Sequence, residues 1–392
     1  MKSEIAFIIL SSFSNINESV KNLLKETYPE KEIVIIDVFK IVKSNYILYA
    51  LNVLFIIIEY AGDLLSGKKS VKESFVRNSF MFFLIKRIVH RKLDPDSILF
   101  SIQTQSVFDA SRKDIPHFVY TDHTMMLNNH YKSFDSRKLP SKRWMQKEHN
   151  IYQNAELIFT MSTSVSDSLI KDYGISGNKI KKVLAGSNLP LNQRMLEKRN
   201  YAKQNILFVG GNWERKGGPV LIKAFEILRN KHPQATLTII SRMAPRLDIP
   251  NCSIFGKLPL SEVASKFAEA SIFCLPTRLE PFGIVFIEAM MYSLPIIGTR
   301  VGAIPDFVTD GVTGYTIEPD DPESLAAALD NLLSDPEQCE RMGINGFKQY
   351  SEYYNWNKVG QRMRVQIDFV LNGKVLEKKE KKNLNPLIKS AV

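Results

Sequence analysis

Two carboxylates, Glu280 and Glu288, stand eight positions apart with Pro281-Phe282-Gly283-Ile284 between them. A helix starting near Phe282–Gly283 points free backbone N–H groups back into that loop and attracts anions, phosphate above all. Glu280 stands just before this end. Glu288 lies on a helical run otherwise made of Ile, Val, Phe, Ala and Met. A carboxylate in such company is costly to bury unless donors meet it, and sugar hydroxyls are suitable donors. The pair therefore suits a ligand that carries phosphates and hydroxyls together, such as a nucleotide sugar. The plainer alternative is that Glu280 caps the helix and Glu288 edges onto solvent.

A second cluster is Gly210-Gly211-Asn212-Trp213-Glu214-Arg215-Lys216-Gly217-Gly218. Its glycines let the backbone approach a ligand, and Arg215 and Lys216 bring positive charge for a diphosphate. The Gly-Lys-Ser/Thr order of a nucleotide P-loop is missing. A third candidate is His123, beside Asp122, after the apolar run His117–Tyr120. A residue at the end of a strand in an open α/β sheet faces the ligand crevice. A surface or structural role for His123 is the alternative, and His117 and His130 are lesser candidates. The same crevice rule singles out the turn holding Ser12 and Asn15, after the first apolar run Ile5–Leu10.

The elements that must position these groups alternate in type. Ser271–Leu275 reads as a strand, then comes the loop, the helix and a further strand from Pro295 to Gly298, a βαβ unit. Earlier strands are expected at Glu32–Phe39, Ser97–Ile102 and Lys179–Leu184, and later ones at Ile206–Val209, Thr236–Ser241 and Cys252–Phe255. Tyr46–Ile58 has Asn52 as its one polar residue. At that length it is too short to span a bilayer, which takes about 20 residues, so a buried helix is expected, with an interfacial segment as the alternative. Val71–Leu93 is expected as one amphipathic helix with Lys69, Lys72, Arg87 and Arg91 on its basic side.

The chain of 392 residues is long enough for two domains, and 44% hydrophobic with 24% charged residues is ordinary for a globular protein. Three cysteines with no CxxC spacing argue against a disulfide framework or a structural zinc site and for a reducing compartment. Met1-Lys2-Ser3-Glu4 leads straight into a strand-like run, so no secretory signal is expected. The net charge is +11; residues 1–195 hold 27 Lys and Arg against 19 Asp and Glu, a surplus of +8. No nucleic-acid-binding motif accompanies that charge, which leaves an anionic membrane or an anionic substrate as its partner.

The stretch from Ile206 to Glu318 resembles retaining glycosyltransferases of family 4, which have the GT-B architecture. The likeness rests on the Glu280-to-Glu288 spacing, on Gly302-Ala303-Ile304-Pro305-Asp306 and on Asp310-Gly311-Val312-Thr313-Gly314. Asp306 stands where the family more often has Glu, and Gly211 where it has Arg after the first glycine of its phosphate loop. The passage Ala155–Ser162 and the Gly186-Ser187-Asn188 turn are also similar to the family.

The resemblance implies two Rossmann-like domains facing each other across a cleft. The first would be an acceptor domain over residues 1–195 and the second a donor domain over 204–352. Residues 353–373 would form a helix crossing back to the first domain, and 374–392 a mobile tail. It implies Glu280, His123 and Lys216 as catalytic. Glu288, at the ribose, would bind the donor together with Arg215, Gly210, Gly211, Pro281, Phe282, Gly283 and Ile284. Ser12, Asn15, Asp122 and Asn188 would line the acceptor side. The implied reaction moves a sugar from a nucleotide-diphospho-sugar to a glycan or lipid-linked acceptor with retention of configuration, in cell-envelope or polysaccharide synthesis. No metal or other cofactor is expected, and the expected place is the cytoplasm, at the inner face of the membrane when the acceptor is a lipid. A nucleotide-sugar epimerase or hydrolase, or a non-catalytic glycan-binding protein, are the alternatives.

Overall fold

The computed structural model describes residues 2–10, 15–190, 199–246 and 248–389, with side chains to Lys374. The first half holds strands β1 (Glu4–Ile9), β2 (Glu32–Asp37), β3 (Ile98–Thr104), β4 (His117–Thr121), β5 (Leu157–Thr160) and β6 (Ile180–Lys182). They form one parallel sheet in the order β2-β1-β3-β4-β5-β6. Its helices are α1 (Ile16–Thr27), α2 (Val38–Lys43), α3 (Tyr46–Leu65), α4 (Val71–Ser74), α5 (Ser79–Lys92), α6 (Lys142–Asn154) and α7 (Thr163–Lys171). The β3 run Ile98, Phe100, Ser101, Ile102 and Gln103 is almost wholly buried, as suits a parallel strand covered on both faces.

The second half holds β7 (Asn205–Val209), β8 (Thr236–Ile240), β9 (Cys252–Phe255), β10 (Ile272–Leu275), β11 (Ile296–Thr299) and β12 (Gly314–Ile317). Their order is β12-β11-β10-β7-β8-β9, again all parallel. Chain order reverses between β7 and β10, and that switch point opens the crevice where open α/β sheets bind ligands. The covering helices are α8 (Gly218–Arg229), α9 (Leu260–Glu269), α10 (Ile284–Met291), α11 (Pro322–Ser334) and α12 (Pro336–Tyr353).

A last helix, α13 (Trp356–Lys389), leaves the second half and packs on the first. Gly360 sits so close to α1 that a Cβ there would lie 2.6 Å from Leu23 and Thr27. Arg362 donates to the Val183 carbonyl, and the Tyr28 hydroxyl to Asp368. The helix continues past residue 373 to Lys389, into the stretch expected as a tail. The stretch from Lys374 is rich in Lys, Glu and Leu, strong helix formers that extend a helix already anchored upstream. Of the polar linker expected over residues 192–203, 191–198 lie outside the described residues. Arg199 donates to the Ala268 carbonyl and Tyr201 to that of Ser293, so residues after 198 are tied to the second half.

Two expectations in the first half are corrected. The run beginning at Tyr46 is not a short buried helix. It continues to Leu65, making α3 20 residues long, the one helix among those described that is long and apolar enough to cross a membrane. It is mostly exposed: Ile47 is 72% and Ile58 66% accessible, and only 17% of its most apolar stretch is buried. The buried residues Asn52, Ile56 and Tyr60 recur every four positions, one stripe that holds α3 to the domain. The Asn52 side chain donates to the Phe75 carbonyl at 2.9 Å, and the Tyr60 hydroxyl to that of Arg77 at 2.5 Å.

The expected single helix from Val71 to Leu93 is two, α4 and α5, with an irregular passage between them. Asn78 is the cause. Its Nδ2 donates to the carbonyls of Ser74 and Phe75 and to the Asn52 side chain, and its Oδ1 accepts from Met81 N to cap α5. A side chain that bonds local backbone in this way competes with a continuous helix.

Candidate active site

Gly283 precedes α10 with φ of 90°, a conformation that side-chain-bearing residues avoid. The left-handed turn sends the chain from the buried strand β10 through Glu280 into α10, with the helix N-terminus facing the cleft. Gly302 supports the same loop: it has φ of 56°, and a Cβ there would lie 1.8 Å from the Glu280 carbonyl oxygen. That close approach explains the glycine in the turn after β11.

Glu280 is 4% exposed and its carboxylate accepts from Lys216 Nζ in a buried ion pair. Lys216 comes from the turn after β7, and burial lowers its pKa while the Glu280 charge acts against that fall. Removing either partner of such a pair leaves an uncompensated buried charge. Glu288, one turn into α10, is 8% exposed. Burial pushes its carboxyl up to about 7, opposed by a backbone hydrogen bond from Asn188 of the first half. Asp122, after β4, is likewise pushed up to about 7, by burial first and by the nearby charge of Glu280. Three acids from two domains thus converge, and two of them titrate near neutrality.

These groups line one cavity of about 560 Å³ between the two sheets. Glu280, Glu288, Lys216, Arg215, Gly210, Gly211, Pro281, Phe282, Gly283 and Ile284 come from the second half, and Asn15, Asp122 and Asn188 from the first. Every expected site residue is there except two. Ser12 lies outside the described residues. His123 lines a separate cavity of about 350 Å³ that shares Arg215 and Pro281 with the larger one. Its buried ring nitrogens make no well-formed hydrogen bond among the described residues, and its pKa is lowered to about 4, by burial first, with the Asn128 side chain acting against that fall. The other two candidate histidines are accounted for structurally. His117 is buried between Ser101 and Gln103, and the exposed His130 faces Asp172 at 3.3 Å. Arg215 does not hold an acid; its guanidinium donates to the Leu279 carbonyl.

The sequence reading missed Arg242 and Lys257, which also line the larger cavity. Each lies within two residues of the carboxyl end of its strand, β8 or β9, so the crevice rule that singled out His123 could have found them. It also missed Tyr131, whose hydroxyl donates to the Glu280 carbonyl at 3.2 Å across the cleft. Asp306 likewise reaches the first half: its carboxylate accepts from Thr163 N at the start of α7 at 2.6 Å. Nothing in the local sequence marks those two cross-cleft contacts.

Residues 193–349 match the family model for glycosyl transferases group 1. The chain is 30% identical over 166 residues to a GDP-mannose-dependent alpha-(1-6)-phosphatidylinositol monomannoside mannosyltransferase of Mycolicibacterium smegmatis, covering 38% of this chain and 44% of that protein. It is 28% identical over 255 residues to a D-inositol 3-phosphate glycosyltransferase of Corynebacterium jeikeium, covering 58% and 60%. The chain therefore spans less than two thirds of these relatives. Among solved structures it is similar to sucrose-phosphate synthase from Thermosynechococcus elongatus, with a TM-score of 0.68 and 15% identity over 95% of this chain and 100% of that one. It is also similar to HepE of Anabaena in complex with UDP and glucose, with a TM-score of 0.63 and 15% identity over 94% and 99%. The structural likeness establishes the fold. The match to the group 1 glycosyltransferases thus lies in the second half, and the likeness of fold runs along nearly the whole chain.

Proposed function

We propose that this protein transfers a sugar from a nucleotide-diphospho-sugar to a glycan or lipid-linked acceptor, with retention of configuration and without a metal, in polysaccharide or cell-envelope synthesis. The observation that carries the reading is the buried Glu280–Lys216 pair at the N-terminal end of α10, in one cavity with Glu288. Glu288 holds the ribose hydroxyls, and Glu280 faces the donor sugar. Lys216, Arg215 and the first amides of α10 face the diphosphate. The bond between the sugar's anomeric carbon and the diphosphate oxygen breaks, and the diphosphate leaves with the electron pair. Fixed cations and amides at that place stabilise the developing negative charge, which is where electrostatic catalysis acts most strongly. The acceptor oxygen bonds to the same carbon on the same face, and its proton passes to the departing phosphate oxygen.

The chain also docks peripherally on an anionic membrane, in this proposal, through the exposed face of α3. The polar bonds of Asn52 and Tyr60 favour lying on the surface over crossing it. Of the four cations expected to help, Lys69 is turned inward to Asp63 at 2.6 Å, which leaves Lys72, Arg87 and Arg91 exposed. At about 1 kcal/mol for each cation near an anionic surface, they contribute about 3 kcal/mol at low salt. Co-sedimentation with anionic but not neutral vesicles, weakened by salt, is the expected result; recovery in the supernatant with both would remove docking from the proposal.

The experiment for the activity is to incubate the protein with a panel of nucleotide sugars, with and without cell-envelope glycans and lipids, and to measure nucleoside diphosphate released. Release that requires an acceptor supports transfer. Equal release without one points to hydrolysis, and none with any donor removes the catalytic reading.

A further inference from the structure

The smaller cavity, of about 350 Å³, lies against the larger one and shares Arg215 and Pro281 with it. Its walls bring together five separate stretches of the chain: the end of α3 with the turn after it, α4 with the passage to α5, the segment after β4, the turn after β7 and the Leu279–Pro281 loop. Five of its lining residues are cations, Lys68, Lys69, Arg77, Lys138 and Arg215, against the one acid Glu73. That acid is engaged by Ser70 in the cap of α4. Lys69 is neutralised by Asp63. Among the described residues no acid pairs with Lys68, Arg77, Lys138 or Arg215, so the cavity has a surplus of positive charge that the protein itself does not balance.

His123 adds an independent sign that a ligand is expected there. Both ring nitrogens are buried on a wall of this cavity without a well-formed hydrogen bond, although the Asn128 side chain on the same wall acts on the ring. An unsatisfied buried polar group is unusual and costs free energy, and a ligand with hydrogen-bonding groups would relieve it. Arg77 and Arg215 are near enough for their charges to act on the imidazole, so the field converges where the ring is.

We infer that this cavity is the anion-recognition end of the acceptor site, taking a phosphate or carboxylate group of the acceptor on Arg77, Lys138 and Lys68. The acceptor then passes Arg215 and Pro281 to present a hydroxyl in the larger cavity, near Asp122 and Glu280. The inference rests on the proposed transferase reading and narrows its acceptor to an anionic one. Guanidinium groups suit such a partner, since they can donate two parallel bonds to a phosphate or carboxylate. The same chemistry serves a soluble sugar phosphate and a lipid-linked phosphate. The cavity adjoins Tyr60, at the kink of the exposed helix α3, so either source has access to it.

The test titrates inorganic phosphate calorimetrically into the full chain saturated with a nucleoside diphosphate, which fills the larger cavity. Phosphate is expected to bind with the nucleotide in place. The double substitution Arg77→Gln, Lys138→Gln is expected to weaken it about tenfold or more and to leave nucleotide affinity unchanged. Both side chains are exposed, and a thermal melt of the variant checks that it folds. Phosphate that merely competes with the nucleotide, or that binds the double variant as well as the wild type, would overturn the inference. If no nucleotide binds at all, the transferase reading fails, while the titration without nucleotide still reads the smaller cavity through the double variant.

Glycerol 3-phosphate against glycerol, and phosphatidic acid vesicles against phosphatidylcholine vesicles, then separate the sources. Preference for the soluble phosphate alone assigns a soluble acceptor. Preference for phosphatidic acid that the double substitution abolishes assigns a lipid one. No preference in either pair contradicts an anionic acceptor.

Discussion

At the end of β10 the chain turns through Gly283 with φ of 90°, and within nine residues it has placed Glu280, the amides of α10 and Glu288 on one cavity wall. Across the cleft, the first half brings Asn15, Asp122, Tyr131 and Asn188 to the same region from three separate segments. The proposed donor side is a contiguous backbone device completed by one lysine from the turn after β7. The proposed acceptor side is a collection of side chains at element ends. A device made of backbone needs its glycines and its spacing in a fixed order, so it is written in consecutive residues. A collection of side chains needs only that each element end at the right place, and the chain between them is free to vary.

That difference can be sharpened by breaking each side. The largest effect is expected from Lys216→Met. It leaves Glu280 charged, buried and unpaired, and removal of one partner of a buried pair costs about 3–5 kcal/mol. Denaturant unfolding should show that loss, and the double substitution Lys216→Met, Glu280→Gln should recover much of it. A single variant as stable as the wild type would mean that the pair is solvated and not part of a dry donor wall.

Next is Glu288→Gln. The folded state raises this carboxyl from 4.5 to about 7, so it binds more protons than the unfolded state between those values. Stability therefore falls as pH rises across that window, by about 3 kcal/mol for this group. The substitution should stabilise the protein by an amount of that order at pH 8 and by almost nothing at pH 4. Thermal melts at both pH values measure the difference, and equal effects at the two would show that burial does not strain this acid. Stability given up at a site is the usual mark of function.

The smallest effect is expected on the acceptor side. Tyr131→Phe removes one hydrogen bond, at 3.2 Å, to the Glu280 carbonyl. A single neutral bond contributes about 0.5–1.5 kcal/mol, and unfolding should register a loss in that range. A much larger loss would mean that the first half, and not the glycine-built loop, holds Glu280 in place.

Legibility followed the same division. The βαβ unit around Glu280 and Glu288, the loop at Lys216 and the alternating strands were readable because parallel strands appear as short apolar runs and their turns as glycine clusters. Strand β12 was not read as one: its residues Gly314-Tyr315-Thr316-Ile317 carry little apolar signal, and pairing with β11 decides them. The exposed helix α3 was misjudged because an apolar run normally means burial, and nothing in it shows whether a partner covers it. The split at Asn78 depends on Asn52, twenty-six positions earlier, a contact that no local pattern encodes. His123 was rightly placed at a strand end, but the rule that found it does not say which of two adjoining cavities it faces.

The central claim is that the cavity over α10 binds the nucleotide portion of a donor, with Glu288 on the ribose. Isothermal titration of nucleoside diphosphates into the wild type and into Glu288→Ala tests it most directly. Loss of hydrogen bonds to a charged group should weaken the binding of the preferred nucleotide by about 1.5–3 kcal/mol, roughly a ten- to hundredfold rise in Kd. A folded Glu288→Ala protein that binds the nucleotide as tightly as the wild type would contradict the claim.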